Sequence, residues 1–201
     1  MTQLVNILEI IGIVAFAISG VTVAFEEKMD IFGVAILGLT ASVGGGMIRD
    51  LILGSNPPLV FKDPTYAIVA VITSLICFIK PIRKYVKPNS PVVILFDSIG
   101  LGIFTVVGVT TSLSLFPENT FLSIFVGVLT GTGGGVLRDI FARKTPAIFI
   151  KNFYATAALI GAIICSLLLK VAPMNIAMFI GAIVIIILRI LAAKYRWKLP
   201  N

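Results

Sequence analysis

Seven stretches of 16 to 20 residues contain no lysine, arginine, aspartate or glutamate. They run Ile10–Phe25, Ile31–Ile48, Pro64–Ile79, Ser98–Pro117, Asn119–Leu137, Asn152–Leu169 and Val171–Leu188. A spanning helix needs about 20 predominantly apolar residues, and most runs gain a turn past a flanking charge. Helices are predicted near 4–25, 32–53, 64–80, 91–113, 119–142, 151–170 and 174–193. Charged residues make up 12% of the chain, against about 25% in a soluble domain. Mean hydropathy is +1.10. The expected class is an all-α integral membrane protein with seven transmembrane helices. The intervening loops, such as Glu26–Asp30, Lys80–Pro88 and Phe116–Asn119, are too short for a soluble domain, so any site is expected within the membrane.

The net charge of +7 raises the question of nucleic acid, but the basic residues gather in short loops and the C-terminal tail. That pattern marks membrane orientation, and no nucleic-acid partner is expected. With seven spans, Arg49, Lys62 and Lys170 fall on one side. Lys28, Lys80, Arg83, Lys84, Lys87, Arg138, Arg143, Lys144, Lys151, Arg189, Lys194, Arg196 and Lys198 fall on the other. The positive-inside rule places the second set in the cytoplasm, with the N-terminus outside and the C-terminus inside. No basic residue precedes the first apolar run, so residues 1–25 read as a retained helix rather than a cleaved signal. Histidine is absent. Cys77 and Cys165 are isolated in apolar runs and read as buried thiols. No metal site, cofactor or enzyme activity is expected.

The chain repeats itself. Gly44-Gly45-Gly46-Met47-Ile48-Arg49-Asp50 returns 89 positions later as Gly133-Gly134-Gly135-Val136-Leu137-Arg138-Asp139. Residues 9–22 return as 97–110, with Ile11/Ile99, Gly12/Gly100, Phe16/Phe104, Gly20/Gly108, Val21/Val109 and Thr22/Thr110 identical and Glu9 matching Asp97. The predicted organisation is one membrane domain: repeat one at 1–80, a connecting loop at 81–90, repeat two at 91–170, and an unmatched seventh helix at 174–193. A unit of three spans re-enters the membrane from the opposite side. The two repeats are therefore expected to be inverted about an axis in the membrane plane, as in many transport proteins.

The candidate site follows from the duplication. Charges inside a bilayer are costly and tend to be functional. Inversion generates two candidate intramembrane ion pairs, Glu9–Arg49 and Asp97–Arg138, one towards each face. They neutralise buried charge, or they also line or gate a pathway. Neighbours on a helix do not face one another, so Asp50 and Asp139 are expected to find other partners or water. The glycine triplets either pack helices closely or kink and unwind them, freeing carbonyls for a cation; local unwinding is the expectation here. No Gly-Lys-Ser/Thr follows either triplet, which sets aside a phosphate loop. Thr22, Thr40, Ser42, Thr110, Thr130 and Thr132 either line a path or bond back to the preceding helical turn.

The doubled Gly-Gly-Gly-x-x-Arg-Asp on the second and fifth helices, with the two triplets of spans, resembles the trimeric intracellular cation channel (TRIC) family in its prokaryotic form. The resemblance covers essentially the whole chain. It implies a homotrimer with a pore in each protomer, framed by helices one to six and by glycine-kinked helices two and five. The implied substrate is a monovalent cation, chiefly potassium, with sodium as a further candidate. Pore or gate candidates are then Gly44, Gly45, Gly46, Arg49, Asp50, Gly133, Gly134, Gly135, Arg138, Asp139, Thr40, Ser42, Thr130 and Thr132. Membrane lipids are the other expected partners, and Lys194–Lys198 suits an anionic inner surface. The expected location is a prokaryotic plasma membrane. Bacterial relatives also carry the label of glycine transporters, so a secondary transporter of a small amino acid stays open beside the channel.

Overall fold

The computed structural model describes residues 3–83, 85–86, 90–150 and 153–197. Lys84, Lys87, Lys151 and Lys198, counted above for orientation, and Asn152, which opens a predicted run, lie outside these residues. In chain order the helices are α1 (Gln3–Glu26), α2 (Ile31–Ile52), α3 (Leu59–Lys62), α4 (Thr65–Phe78), α5 (Lys80–Arg83), α6 (Pro91–Leu115), α7 (Thr120–Phe141), α8 (Ala147–Ile150), α9 (Tyr154–Leu168) and α10 (Met174–Tyr195).

Local chemistry sets several starts. The Asp30 carboxylate accepts from the Gly33 N–H to open α2, Ser90 accepts from Val93 to open α6, and Asn119 accepts from Leu122 to open α7. These caps satisfy amide groups that a helix start leaves without partners. After α2, Gly54 takes a left-handed φ of +74°, which glycine adopts without steric cost. After α7, Arg143 occupies the corresponding place with φ +56°.

Among the described residues, α1, α2, α6, α7 and α10 are long and apolar enough to cross a membrane, at 22 to 25 residues each. The other two predicted spans are shorter. The helix predicted at 64–80 is α4, of 14 residues, and that at 151–170 is α9, of 15. At 1.5 Å per residue they reach roughly 21–23 Å. Pro81 would clash with the Cys77 carbonyl if α4 continued, and α4 ends at Phe78. A separate one-turn helix, α3 or α8, precedes each.

The centre is built from α1 and α6, with α2 and α7 packed on them and on each other; α4 covers α1 and α2, and α9 with α10 covers α6 and α7. The Phe16 and Phe104 rings stack at 5.4 Å between centroids. Gly12 makes room for Phe104, and Gly100 for Phe16. Phe32, Phe121, Phe149 and Phe179 point outward and are more than two-thirds exposed, as side chains facing hydrocarbon would be.

The triplets do not unwind. Helix α2 runs unbroken through Gly44–Gly46, and α7 through Gly133–Gly135. A Cβ on Gly45 would lie 2.1 Å from the Thr130 carbonyl oxygen, and one on Gly134 would lie 2.2 Å from that of Ala41. Gly44 likewise receives Leu137, and Gly133 receives Ile48. The expectation of local unwinding is therefore replaced by close packing. Their small size lets two backbones touch, and the retained helical bonds leave no freed carbonyls.

Candidate functional site: two buried charge clusters

Six ionisable residues of the duplicated segments converge in two places. In the first cluster Arg49, 1% exposed, donates from Nη1 to Glu9 Oε1 at 2.7 Å and from Nε to Asp50 Oδ1 at 2.8 Å. Asp50 Oδ2 accepts from the Leu59 N–H at the start of α3. Glu9 Oε2 is buried without a hydrogen-bond partner among the described residues. A cavity of about 30 Å³ adjoins the cluster, lined in part by Glu9, Ser42, Gly46, Arg49, Asp50 and Tyr66.

The second cluster repeats this plan with additions. Arg138 donates from Nε to Asp139 Oδ1 at 2.8 Å, and Asp139 Oδ2 accepts from the Ala147 N–H at the start of α8. Arg138 Nη1 approaches Asp97 Oδ1 at 3.5 Å, but its shorter bond, 2.7 Å, goes to Ser19 Oγ. Ser19 in turn donates to Asp97 Oδ1 at 2.9 Å. The Tyr154 hydroxyl approaches the same oxygen at 3.5 Å. Arg189 of α10 lies 3.7 Å from Asp97 Oδ2, its guanidinium 4.6 Å from the Tyr154 ring centre. Ser19, Asp97, Arg138, Asp139 and Arg189 line a cavity of about 360 Å³ that extends to Glu26, Lys144 and Thr145. Lys144 pairs there with Glu26 and Glu27. Partial burial works against its charge, yet the two carboxylates hold its pKa above the ordinary lysine value.

Both expected ion pairs form, the second loosened by Ser19. The expectation for Asp50 and Asp139 holds in part: each takes another partner, the Leu59 or Ala147 N–H, but each also binds the arginine immediately before it. The flexible guanidinium arm doubles back along its own helix, and the free carboxylate oxygen then anchors the next short helix. Thr22, Thr110, Thr130, Thr132 and Ser42 donate to carbonyls one turn earlier. Ser42 also donates to Ile13 across the α1–α2 interface. Thr40 is half-buried. Gly44, Gly45 and Gly133–Gly135 line neither polar cavity.

Four participants escaped the sequence reading. Tyr66 and Tyr154 stand 88 positions apart, the offset of the first-helix repeat, so the duplication carried a signal for them. Ser19 has no matching hydroxyl, since Val107 stands at its counterpart. Arg189 had been counted among the surface charges of the basic side. It is buried, as are Arg49 and Arg138. Among the described residues, no three histidine, cysteine, aspartate or glutamate side chains gather to hold a metal ion.

A helical bundle with apolar outer faces and paired charge inside defines the class: an all-helical integral membrane protein with its charged groups gathered in the interior. Comparison with known proteins places it further. A family model described as "Glycine transporter" matches residues 6–81 and 94–170. The UPF0126 inner membrane protein YadS of Escherichia coli K12 is 38% identical over 99% of this chain and 96% of its own length. A solved TRIC cation channel superposes with a TM-score of 0.88 at 37% identity, covering 98% of this chain and 96% of that one. The TRIC orthologue of Rhodobacter sphaeroides gives 0.88 at 30% identity, covering 98% and 100%. The chain belongs to this family and is a prokaryotic TRIC-type membrane protein.

Proposed function

We propose that this chain is a homotrimeric channel for monovalent cations, potassium foremost, with one pore in each protomer framed by α1, α2, α4, α6, α7 and α9. One observation carries the reading. Two buried arginine–carboxylate clusters, each beside its own cavity, meet α1 at Glu9 and at Ser19. Ten residues of helix separate those levels, about 15 Å. Between them lie the stacked Phe16–Phe104 pair and the interlocked triplets of α2 and α7. The carboxylate excess at the Glu9 end attracts cations, and the apolar waist acts as the barrier that opening must relieve. The solved relatives named above are TRIC cation channels, which supports the same reading.

The finer architecture belongs to the proposal: seven spans, with α4 and α9 crossing although short, and two inverted three-helix repeats plus α10. Reciprocal contacts support it. Gly45 meets Thr130 while Gly134 meets Ala41, and Gly12 meets Phe104 while Gly100 meets Phe16. A twofold relation produces such swapped pairs. The second stretch matched by the family model begins 88 residues after the first. The N-terminus is placed outside and the C-terminus inside a bacterial plasma membrane, with anionic lipids against the basic side.

Potassium flux into proteoliposomes tests the reading. Flux through the wild-type chain that persists with both triplets changed to leucine would overturn it. The family model's description favours one other reading, a carrier for glycine. The larger cavity displays both charge signs, as a zwitterion requires. Saturable exchange of labelled glycine without conductance would establish that reading instead.

A further inference from the structure

The two clusters are built on one plan but do not carry the same charge. In the first, two carboxylates, Glu9 and Asp50, face one guanidinium, Arg49. In the second, Asp97 and Asp139 face two, Arg138 and Arg189. The difference is one residue, and it comes from α10, the long helix without a counterpart in the duplication. The carboxylates also differ in occupancy. Glu9 keeps a buried oxygen that meets no direct hydrogen-bond partner among the described residues, with the Tyr66 hydroxyl beside the carboxylate. Both Asp97 oxygens are engaged, Oδ1 by Ser19 with Arg138 and Tyr154 nearby, and Oδ2 by Arg189. Arg189 is 5% exposed, stacks on Tyr154, and keeps its Nε without a hydrogen-bond partner among the described residues. An arginine held so by one long-range carboxylate contact and one ring is positioned more by charge than by a satisfied hydrogen-bond network.

We propose that Arg189 is a tethered cation: beside Asp97 it takes the place that a permeant potassium ion takes beside Glu9. The path then has one end that attracts cations and one that is already neutralised, and it conducts unequally in the two directions. The inference rests on the cation-channel reading. Glu26, Glu27 and Lys144 at the mouth of the larger cavity bind one another and leave one net negative charge there, so the neutralisation by Arg189 acts at depth, beside Asp97.

The test uses the full-length protein in planar bilayers and in detergent, as wild type, Arg189→Gln and Arg189→Lys. Single wild-type channels should rectify. Arg189→Gln should raise the smaller limb of the current–voltage curve roughly threefold or more, the effect of removing a unit charge within about 8 Å in a partly screened site. Arg189→Lys should keep the rectification. A second readout does not need conduction. Thermal unfolding is compared in potassium chloride and in N-methylglucamine chloride at equal ionic strength. Arg189→Gln should gain a saturable, potassium-specific stabilisation beyond wild type, and adding Asp97→Asn should remove it. Unchanged rectification in folded Arg189→Gln, or loss of rectification in Arg189→Lys, would overturn the proposal. If even the wild type passes no current, the channel reading fails, and absence of the potassium-specific gain would then overturn the Arg189 assignment independently.

Discussion

Changing Gly45 to alanine sets a Cβ 2.1 Å from a backbone carbonyl oxygen, that of Thr130. Comfortable contact needs about 3.5 Å, so α2 and α7 must part by more than about 1 Å at their crossing. A carbonyl held in its own helix cannot swing aside as a side-chain tip can. Overpacking of this kind costs about 1–3 kcal/mol, and the better helix propensity of alanine returns roughly 1 kcal/mol. The expected net loss is up to about 2 kcal/mol, or up to about 8 °C in melting temperature for a chain of this size. Gly46, one residue on, supplies the control. Its Cβ would meet only the Arg49 guanidinium, at an ordinary contact distance of 3.8 Å, so Gly46→Ala should keep or raise the melting temperature. Gly134→Ala and Gly135→Ala should repeat the contrast, since Gly134 meets the Ala41 carbonyl at 2.2 Å and Gly135 has nothing closer than the Tyr154 hydroxyl at 3.5 Å. Cys77 and Cys165 are buried free thiols, so a thiol-reactive fluorophore reports unfolding in detergent. Equal shifts for Gly45→Ala and Gly46→Ala would refute close packing as the reason for the triplet.

Other outcomes follow from the same geometry. Asp139→Asn leaves Arg138 with a weaker partner at its Nε; breaking a buried pair in this way should cost up to about 3–5 kcal/mol, measured by the same melt. Phe16→Ala removes half of the stacked pair at the waist and should increase potassium leak in proteoliposomes while lowering the melting temperature; an unchanged leak in folded protein would remove the pair from the barrier. Lys144, with its raised pKa, should contribute fully below the ordinary lysine value of 10.5 and lose its contribution as pH rises through the higher folded-state value. Because it is partly exposed, the effect should stay below about 1 kcal/mol, seen as a melting difference from Lys144→Gln that shrinks above that pH.

Much of this arrangement is legible in the sequence because apolar periodicity and duplication are properties of the chain itself. Charge-free runs locate the five long helices, and the offset between Glu9 and Asp97 pairs each acid with the correct arginine. What was missed lies in three dimensions. Whether three glycines loosen a helix or seat it against another depends on what stands opposite, and only the fold brings Thr130 and Ala41 there. The rule that adjacent helical residues do not face each other fails for Arg49 and Asp50 because the arginine arm is long enough to turn back. Arg189 reads as one more basic residue near a helix end until packing of α10 on α6 carries it to Asp97. Pro81 is a local break legible in the sequence: the helix predicted at 64–80 stops before it, and α4 closes at Phe78.

In the proposed channel, cations pass through each protomer past the two buried clusters. Single-channel current from purified protein in planar bilayers, with potassium on one side and sodium on the other, tests it most directly. Discrete unitary currents with a cation-selective reversal potential are the predicted result. Folded, oligomeric protein that stays silent in repeated recordings while exchanging labelled glycine would contradict it.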